Sequence, residues 1–469
     1  SNGIGADAFA LVWDGESVHG LNASGRSPAL LDAARLRGAA AMPLLGWDSV
    51  TVPGAVSAWA ALSERFGALP FAALFTDAVR HARDGHPVAP VVAAMWSRAP
   101  FTYAGLEDFA EVFLPGGRPP AAGERWASAA HAETLEAIAG TGGEAFYRGE
   151  LAARTAAAAR AAGAALREED LAAHQPEWVA PLALEALGAR LLELPPNGQG
   201  IAALIAAGLV DRRGAALDPD SPDGMHVAIE ATKLALADAY AHVADPAAMR
   251  VAPEALLDAG YLDERAGRID LAQAGDPGHG EPRRGGTVCL AAADRRGRAV
   301  SFIQSNYMGF GSGVVVPGTG IALHNRGAGF VTTPGHPNVV AGGKRPFHTI
   351  IPGMVLGPAG PLLSYGLMGG HMQAQGHLQL LLRILAHGQG PQAAADAPRW
   401  RVDGGRRVAV EPGIPDSVRE ALAARGHDVR VEDPVPGFGG AQLVWPLEMP
   451  ARSWGAAGDW RKDGMPAAR

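Results

Sequence analysis

Cysteine is almost missing: the 469-residue chain holds one, Cys289. No disulfide can form within the chain, so packing has to hold the fold. Lysine is scarce as well, at Lys233, Lys344 and Lys462, while alanine, glycine and arginine dominate, a bias that reads as coding preference. No uninterrupted apolar run reaches the ~18 residues that would span a bilayer, so no membrane helix is expected. Positive charge is not in excess: 48 acidic and 40 basic residues leave a formal net charge of −8. That balance argues against a nucleic-acid partner. A hydrophobic share of 48% argues against a wholly disordered chain. Several chemical signatures are also lacking. There is no H-E-x-x-H and no Gly-x-Ser-x-Gly elbow. The glycine-rich run Gly309-Phe310-Gly311-Ser312-Gly313 has neither a Walker lysine nor Rossmann spacing.

What is present fits two to four units or one large layered fold. Ala8–Trp13 and Ser17–Asn22 read as a hairpin around Asp14-Gly15. The loop 22–28 follows, and its Arg26 is a candidate anion contact or a solvated loop arginine. Residues 29–110 read as mainly helical, and 132–165 as two more helices broken at Gly140, Gly142-Gly143 and Gly149. Leu194-Pro195-Pro196-Asn197-Gly198-Gln199-Gly200 is a rigid turn that either delimits a pocket or stops a strand. Helices are expected over 201–209 and 226–242, with Lys233 and Asp238 as surface or inter-helix polar contacts. The stretch 276–286 has linker composition. Beyond it the chain is read as β-rich: strand, turn and strand over 313–325, strands at 347–351 and 354–356, a loop over 361–370, then a helix over 372–386. Further strands are expected within 401–410, at 427–431 and at 441–445, with a helix at 418–424. Ser1-Asn2 reads as a tag remnant, and a leader or first helix is expected upstream of the opening strand. Either a cytoplasmic or a periplasmic bacterial location stays open.

The stretch Gly285-Gly286-Thr287 opens a short apolar strand that returns through Asp294-Arg295-Arg296-Gly297. A threonine freed as a new N-terminus is chemically special. Its α-amine, with a reference pKa of about 8, can take the hydroxyl proton without a separate histidine. The same hydroxyl can attack the Gly286 carbonyl to make the cut. The bland reading is a tight turn before a strand. Gly369-Gly370 at a loop-to-helix junction can offer backbone N–H groups to an oxyanion, or simply start a helix. Cys289 shares a strand face with Thr287 and reads as core. His324, His348 and His371 lack metal-ligand spacing.

At this point the chain resembles the γ-glutamyltranspeptidase family of N-terminal nucleophile hydrolases. The residues that carry the resemblance run from Ile4-Gly5-Ala6-Asp7-Ala8-Phe9 to Asp463-Gly464. They include Thr287–Asp294, Phe310–Gly320, Gly343-Lys344-Arg345-Pro346 and Gly369-Gly370. The resemblance implies an α+β fold, a four-layer αββα sandwich. It implies a precursor that cuts itself into a large subunit, 1–286, and a small one, 287–469, which stay together as a heterodimer. Thr287 becomes the nucleophile, Ser305 its hydroxyl neighbour, and Gly369 and Gly370 the oxyanion donors. No cofactor and no metal are expected. The partners would be a small amide substrate and water or an amine acceptor, with no nucleic acid and no membrane.

The positions expected to bind substrate depart from the family pattern. They are Arg26, Tyr307, His324, Asn325, Arg326, His348 and Thr349. The family arginine near the start is replaced by Ser24, with Arg26 shifted. The aspartate that pairs with a γ-glutamyl α-amine is gone from His324-Asn325-Arg326-Gly327-Ala328-Gly329-Phe330. An ammonium there would be left unpaired. The expectation is an acyl group that is anionic without the amine, such as an oxamate-type or glutaryl-type amide, as in the divergent branch similar to oxamate amidohydrolases and cephalosporin-type acylases. Three rival readings stay open: a true γ-glutamyltransferase or glutathione hydrolase, an unprocessed binding or structural relative, and a metal-dependent hydrolase using His324 or His348.

Overall fold

The structure, a computed structural model, describes residues 2–277, 286–449 and 453–468. Within the linker read from composition, residues 278–285 lie outside the described residues. Two antiparallel sheets carry the fold. In chain order their strands are β1 (Asp7–Trp13), β2 (Val18–Asn22), β3 (Glu177–Val179), β4 (Leu182–Ala186), β5 (Ala189–Glu193), β6 (Gly286–Ala293), β7 (Ala299–Tyr307), β8 (Pro352–Gly357), β9 (Gly360–Met368), β10 (Gly440–Pro446) and β11 (Trp454–Gly458). The first sheet runs β3-β2-β1-β7-β6 and the second β11-β10-β9-β8-β5-β4.

Side chains alternate along each strand, and both faces of these strands meet protein. On β1, Phe9 and Leu11 point into the space between the sheets, where they meet Ile303, Leu192, Ile350 and Met354. Ala8, Ala10 and Val12 point outward to helix α1 (Ala55–Phe66). The small residues let α1 lie close to the strand; the large ones fill the inner layer. The sheets also touch through polar atoms, with Ser301 Oγ donating to Tyr365 O at 2.7 Å. Helices α2 (Gly200–Arg213) and α5 (Met372–Leu381) cover the outer face of the second sheet, and α3 (Pro222–His242) and α4 (Ala259–Ala266) pack on α2. Helix, sheet, sheet and helix make the α+β sandwich. Helix α3 starts where Ser221 accepts from Gly224 N and Pro222 takes a position that needs no N–H. No helix among the described residues is long and apolar enough to cross a membrane.

Strands β6 and β7 form the hairpin that matters for the site. Asp294 closes its turn, with Oδ1 accepting from the N–H groups of Arg296 and Arg298, and Asp294 N donating to Arg298 O at 3.0 Å. The register slips once, so that Gly286 faces Tyr307 while Val288 faces Gln304. Two residues on β7 therefore oppose Thr287.

Four expectations need correction. Residues 361–370 are a central strand, not a loop, up to Met368. Proline is harmless at its start, and Gly366 is needed because a Cβ there would sit 2.3 Å from Cys289 Sγ across the sheets. Residues 313–325 make two isolated bridges, Val315↔Ala322 around a tight turn and Leu323↔Gly5, and 347–351 make only the bridge Gly198↔His348. Lys233 is no surface residue. It is buried, and its ammonium donates to Glu230 Oε1 at 2.8 Å, Gly275 O at 3.0 Å and His427 Nδ1 at 3.4 Å. Asp238 does make the expected contact between helices, with Arg265 of α4.

Glu230 and His427 also belong, with His226, to a cluster of metal-ligand type. The proton positions speak against that use. His226 Nε2 donates to Asp270 O, so its Nδ1 accepts from His427 Nε2, and His427 Nδ1 faces the lysine. An ammonium ion already fills the cationic role. Glu230 Oε2 accepts Gly275 N, so the network grips the chain shortly before residue 278.

Candidate active site

The alternation that fills the inner layer also delivers the site. Ser301, Ile303, Ser305 and Tyr307 share the inner face of β7, and Thr287 and Cys289 share that of β6. Asp7, at the start of β1, stands opposite Ser305 in the register. Three polar side chains thus reach one end of the inter-sheet layer.

Thr287 is 3% exposed, and its Oγ1 lies 3.1 Å from Ser305 Oγ. Ser305 Oγ accepts from Tyr307 N at 2.8 Å, and Tyr307 holds φ at +72°. This is the left-handed region, uncommon for a bulky residue and a mark of strain held at a site. Gln373, on the first turn of α5, donates from Nε2 to Thr287 Oγ1 at 3.3 Å. One turn earlier stand Gly369 (φ +144°) and Gly370 (φ +62°), conformations suited to glycine between β9 and the start of α5. Gly370 O accepts from Gln199 Nε2, which also reaches Thr349 O. The turn 194–200 ends β5, the second of its two readings, and its Gln199 ties the Gly370 junction to Thr349.

Next to Thr349 the site turns cationic. Arg326 is 1% exposed. Its Nη1 donates to Thr349 Oγ1 at 2.8 Å, and its guanidinium carbon sits 4.6 Å from the centre of the Tyr307 ring. Its Nε and Nη2 have no hydrogen-bond partner among the described residues. Burial lowers its pKa to about 10, although Asp7 pulls the other way. Behind it lie His348 and His324. His348 Nδ1 accepts Ile350 N, so Nε2 donates to Asp7 Oδ2 at 3.1 Å. His324 Nδ1 accepts Arg326 N, which leaves Nε2 3.6 Å from Asp7 Oδ1, beyond hydrogen-bond range. Burial first, and the Arg326 charge second, pushes His324 down to about 3 and His348 well below its usual range. Burial raises Asp7 to about 7 against the pull of Arg326. Both imidazoles are neutral at pH 7, and Asp7 titrates there.

Of the residues expected in the site, Thr287, Ser305, Tyr307, Arg326 and Thr349 form one connected group. Gly369 and Gly370 join it through Gln199 and Gln373, and His324 and His348 through Arg326 and Asp7. Arg26 does not join. It is paired with Asp245 at 2.6 Å and its side chain is 46% exposed. Asn325 is spent on scaffolding, donating to Leu44 O and accepting Met308 N. Cys289 packs between the sheets, where burial pushes its thiol up to about 12. His371 faces Tyr240 at 2.7 Å. Sequence reasoning missed Asp7, Gln199 and Gln373. An acid opening an apolar strand was the visible sign of Asp7; the two glutamines gave none. An apolar groove of about 660 Å³, lined by Trp59, Phe66, Leu290 and Phe302, lies on the opposite face of β6 and is not this site.

The family model described as Gamma-glutamyltranspeptidase matches residues 1–469. The chain is 36% identical over 451 residues to the oxamate amidohydrolase proenzyme of Klebsiella pneumoniae, a match taking in 92% of this chain and 83% of that protein. It is 34% identical over 454 residues to the glutathione hydrolase-like YwrD proenzyme of Bacillus subtilis, taking in 94% and 86%. Among solved structures, the cephalosporin acylase of Bacillus halodurans superposes with a TM-score of 0.95 at 44% identity, covering 100% of this chain and 88% of that one. Fold, site and these likenesses agree: the chain belongs to the γ-glutamyltranspeptidase family.

Proposed function

We propose that this protein cuts its own Gly286–Thr287 bond and then works as an N-terminal threonine amidohydrolase on amides of anionic acids that carry no α-amine. In processing, Thr287 Oγ1 attacks the Gly286 carbonyl, the C–N bond breaks, and an ester forms. Water opens that ester, leaving a carboxylate on Gly286 and a free amine on Thr287. The products are a large subunit, 1–286, and a small one, 287–469, held together by the two shared sheets. In turnover the freed amine takes the Oγ1 proton, Oγ1 attacks the substrate carbonyl, and the amine hands the proton to the leaving nitrogen. Gly369 and Gly370 N–H groups hold the oxyanion. Water releases the acyl group, with transfer to an amine as a possible second fate.

The observation that carries the substrate class is the pair of unpartnered Arg326 nitrogens, Nε and Nη2, buried in the same polar group as the Thr287 hydroxyl. A carboxylate on the acyl group would satisfy both. A γ-glutamyl ammonium finds no equivalent. The carboxylate that contacts this group is Asp7, already bonded to Gly54 N and His348. The relatives' names, oxamate amidohydrolase and cephalosporin acylase, support the same class. A denaturing gel should show two bands, and the processed protein should favour glutaryl and oxamate amides over a γ-glutamyl anilide. One intact band with full amidase activity, or selective γ-glutamyl turnover, refutes the proposal.

A further inference from the structure

Gln373 touches the nucleophilic oxygen, and its amide has a fixed sense. Its Oε1 accepts Ile351 N–H at 3.0 Å, so its Nε2 faces Thr287 Oγ1 at 3.3 Å. The flipped amide would set a donor against the Ile351 N–H. The side chain is fully buried, so no water competes for either end. With a donor on Oγ1, the Thr287 proton turns to Ser305 Oγ, which also accepts Tyr307 N–H. Two backbone N–H groups, at Ile351 and Tyr307, thereby set the polarity of the whole row.

We infer that Gln373 is a further catalytic residue, the hydrogen-bond donor to Oγ1 in its role as leaving atom. The inference rests on the threonine-nucleophile reading above. Oγ1 leaves twice: when the Gly286 ester is hydrolysed and when each acyl-enzyme is hydrolysed. Water adds to the ester carbonyl and gives its proton to the Thr287 amine. The C–Oγ1 bond then breaks, the electron pair stays on Oγ1, and the ammonium returns a proton to it. The glycine N–H groups serve the carbonyl oxygen, a different atom. The Gln373 N–H serves Oγ1 itself, at the moment when its charge is greatest.

Gln373→Glu tests this. It keeps the size and the acceptor for Ile351; ionised it has no proton to offer Oγ1, and protonated it has one. At pH 8 its kcat on a glutaryl anilide should fall about 10–100-fold, the range for a lost hydrogen bond to a charged atom. Self-cleavage followed on a denaturing gel should slow too. The ratio of its kcat to that of the parent should climb as pH falls, while Gln373→Leu stays low throughout. A melting temperature for Gln373→Glu close to the parent's ties the loss to chemistry. Parent-like cleavage and turnover at pH 8, or a ratio flat with pH, overturns the inference. Thr287→Ala separates the two layers. If it stays uncleaved and inert while the Gln373 variants work fully, only the Gln373 role falls. If it remains active, the threonine reading itself falls.

Discussion

Replacing Arg326 by methionine should move stability and activity in opposite directions. The guanidinium is buried, and two of its N–H positions have no acceptor among the described residues. Each orphaned buried donor costs about 1–3 kcal/mol. Against that stand one hydrogen bond to Thr349, worth about 1 kcal/mol, and stacking on Tyr307, worth about 1 kcal/mol. Methionine fills a similar volume without the charge, so the folded protein should gain on the order of 1–3 kcal/mol. The substrate pays the other way. Two charge-assisted bonds to an acyl carboxylate contribute about 1.5–3 kcal/mol each, so kcat/KM for a glutaryl anilide should drop roughly 10²- to 10⁴-fold. A neutral butyryl anilide should lose little. Free glutarate should raise the melting temperature of the parent and leave that of the variant unchanged. The assay is therefore kcat/KM on the two anilides beside urea unfolding of both proteins. Equal losses on charged and neutral substrates, or a less stable variant, would refute the reasoning.

Three shorter predictions accompany it. Ser305→Ala removes the partner of Thr287 Oγ1 without touching the proposed nucleophile; turnover should fall about fivefold, the weight of one ~1 kcal/mol hydrogen bond, and unchanged turnover would show the bond to be idle. Burial raises Asp7 from 3.8 to about 7, so the native state holds the extra proton and this group's stabilising contribution is lost as pH rises through that window. Asp7→Asn should therefore be stabilising relative to the parent at pH 8 and lose that advantage by pH 4, measured as the difference between urea midpoints; a pH-independent difference would contradict it. Lys233→Met leaves Glu230 buried without its cation, and thermal melting should report a loss of about 3–5 kcal/mol; a neutral outcome would mean that water reaches the pocket.

Alternation made the inner layer of β1 and β7 legible in the sequence, and turn chemistry at Asp14-Gly15 and Asp294–Gly297 made their hairpins legible. Strand β9 was not. Its glycines and proline read as breakers because the reason for Gly366, the thiol of Cys289 on the facing sheet, is a contact between segments far apart in sequence. The same limit applies to the site. Thr287, Ser305 and the glycine pair are picked out in the sequence by the family resemblance. That Arg326 would be starved of acceptors while Arg26 would be paired with Asp245 depends on what folds beside each. Gln199 and Gln373 look like ordinary helix-start residues until the hydrogen bonds are drawn. Lys233 misled for a related reason: an ammonium on an apolar helix is expected at the surface unless acceptors arrive from elsewhere to join those of its own helix, as Gly275 O and His427 Nδ1 join Glu230 here.

The hairpin joining β6 to β7 behaves as a ruler. Its turn length, together with the single register slip beyond it, decides which way each side chain of β6 faces. Deleting one turn residue would rotate the threonine hydroxyl to the outer side of the sheet and bring Val288 in. Any drift in the length of that turn must therefore come in steps of two, or be matched by a second slip, for the hydroxyl to keep its place.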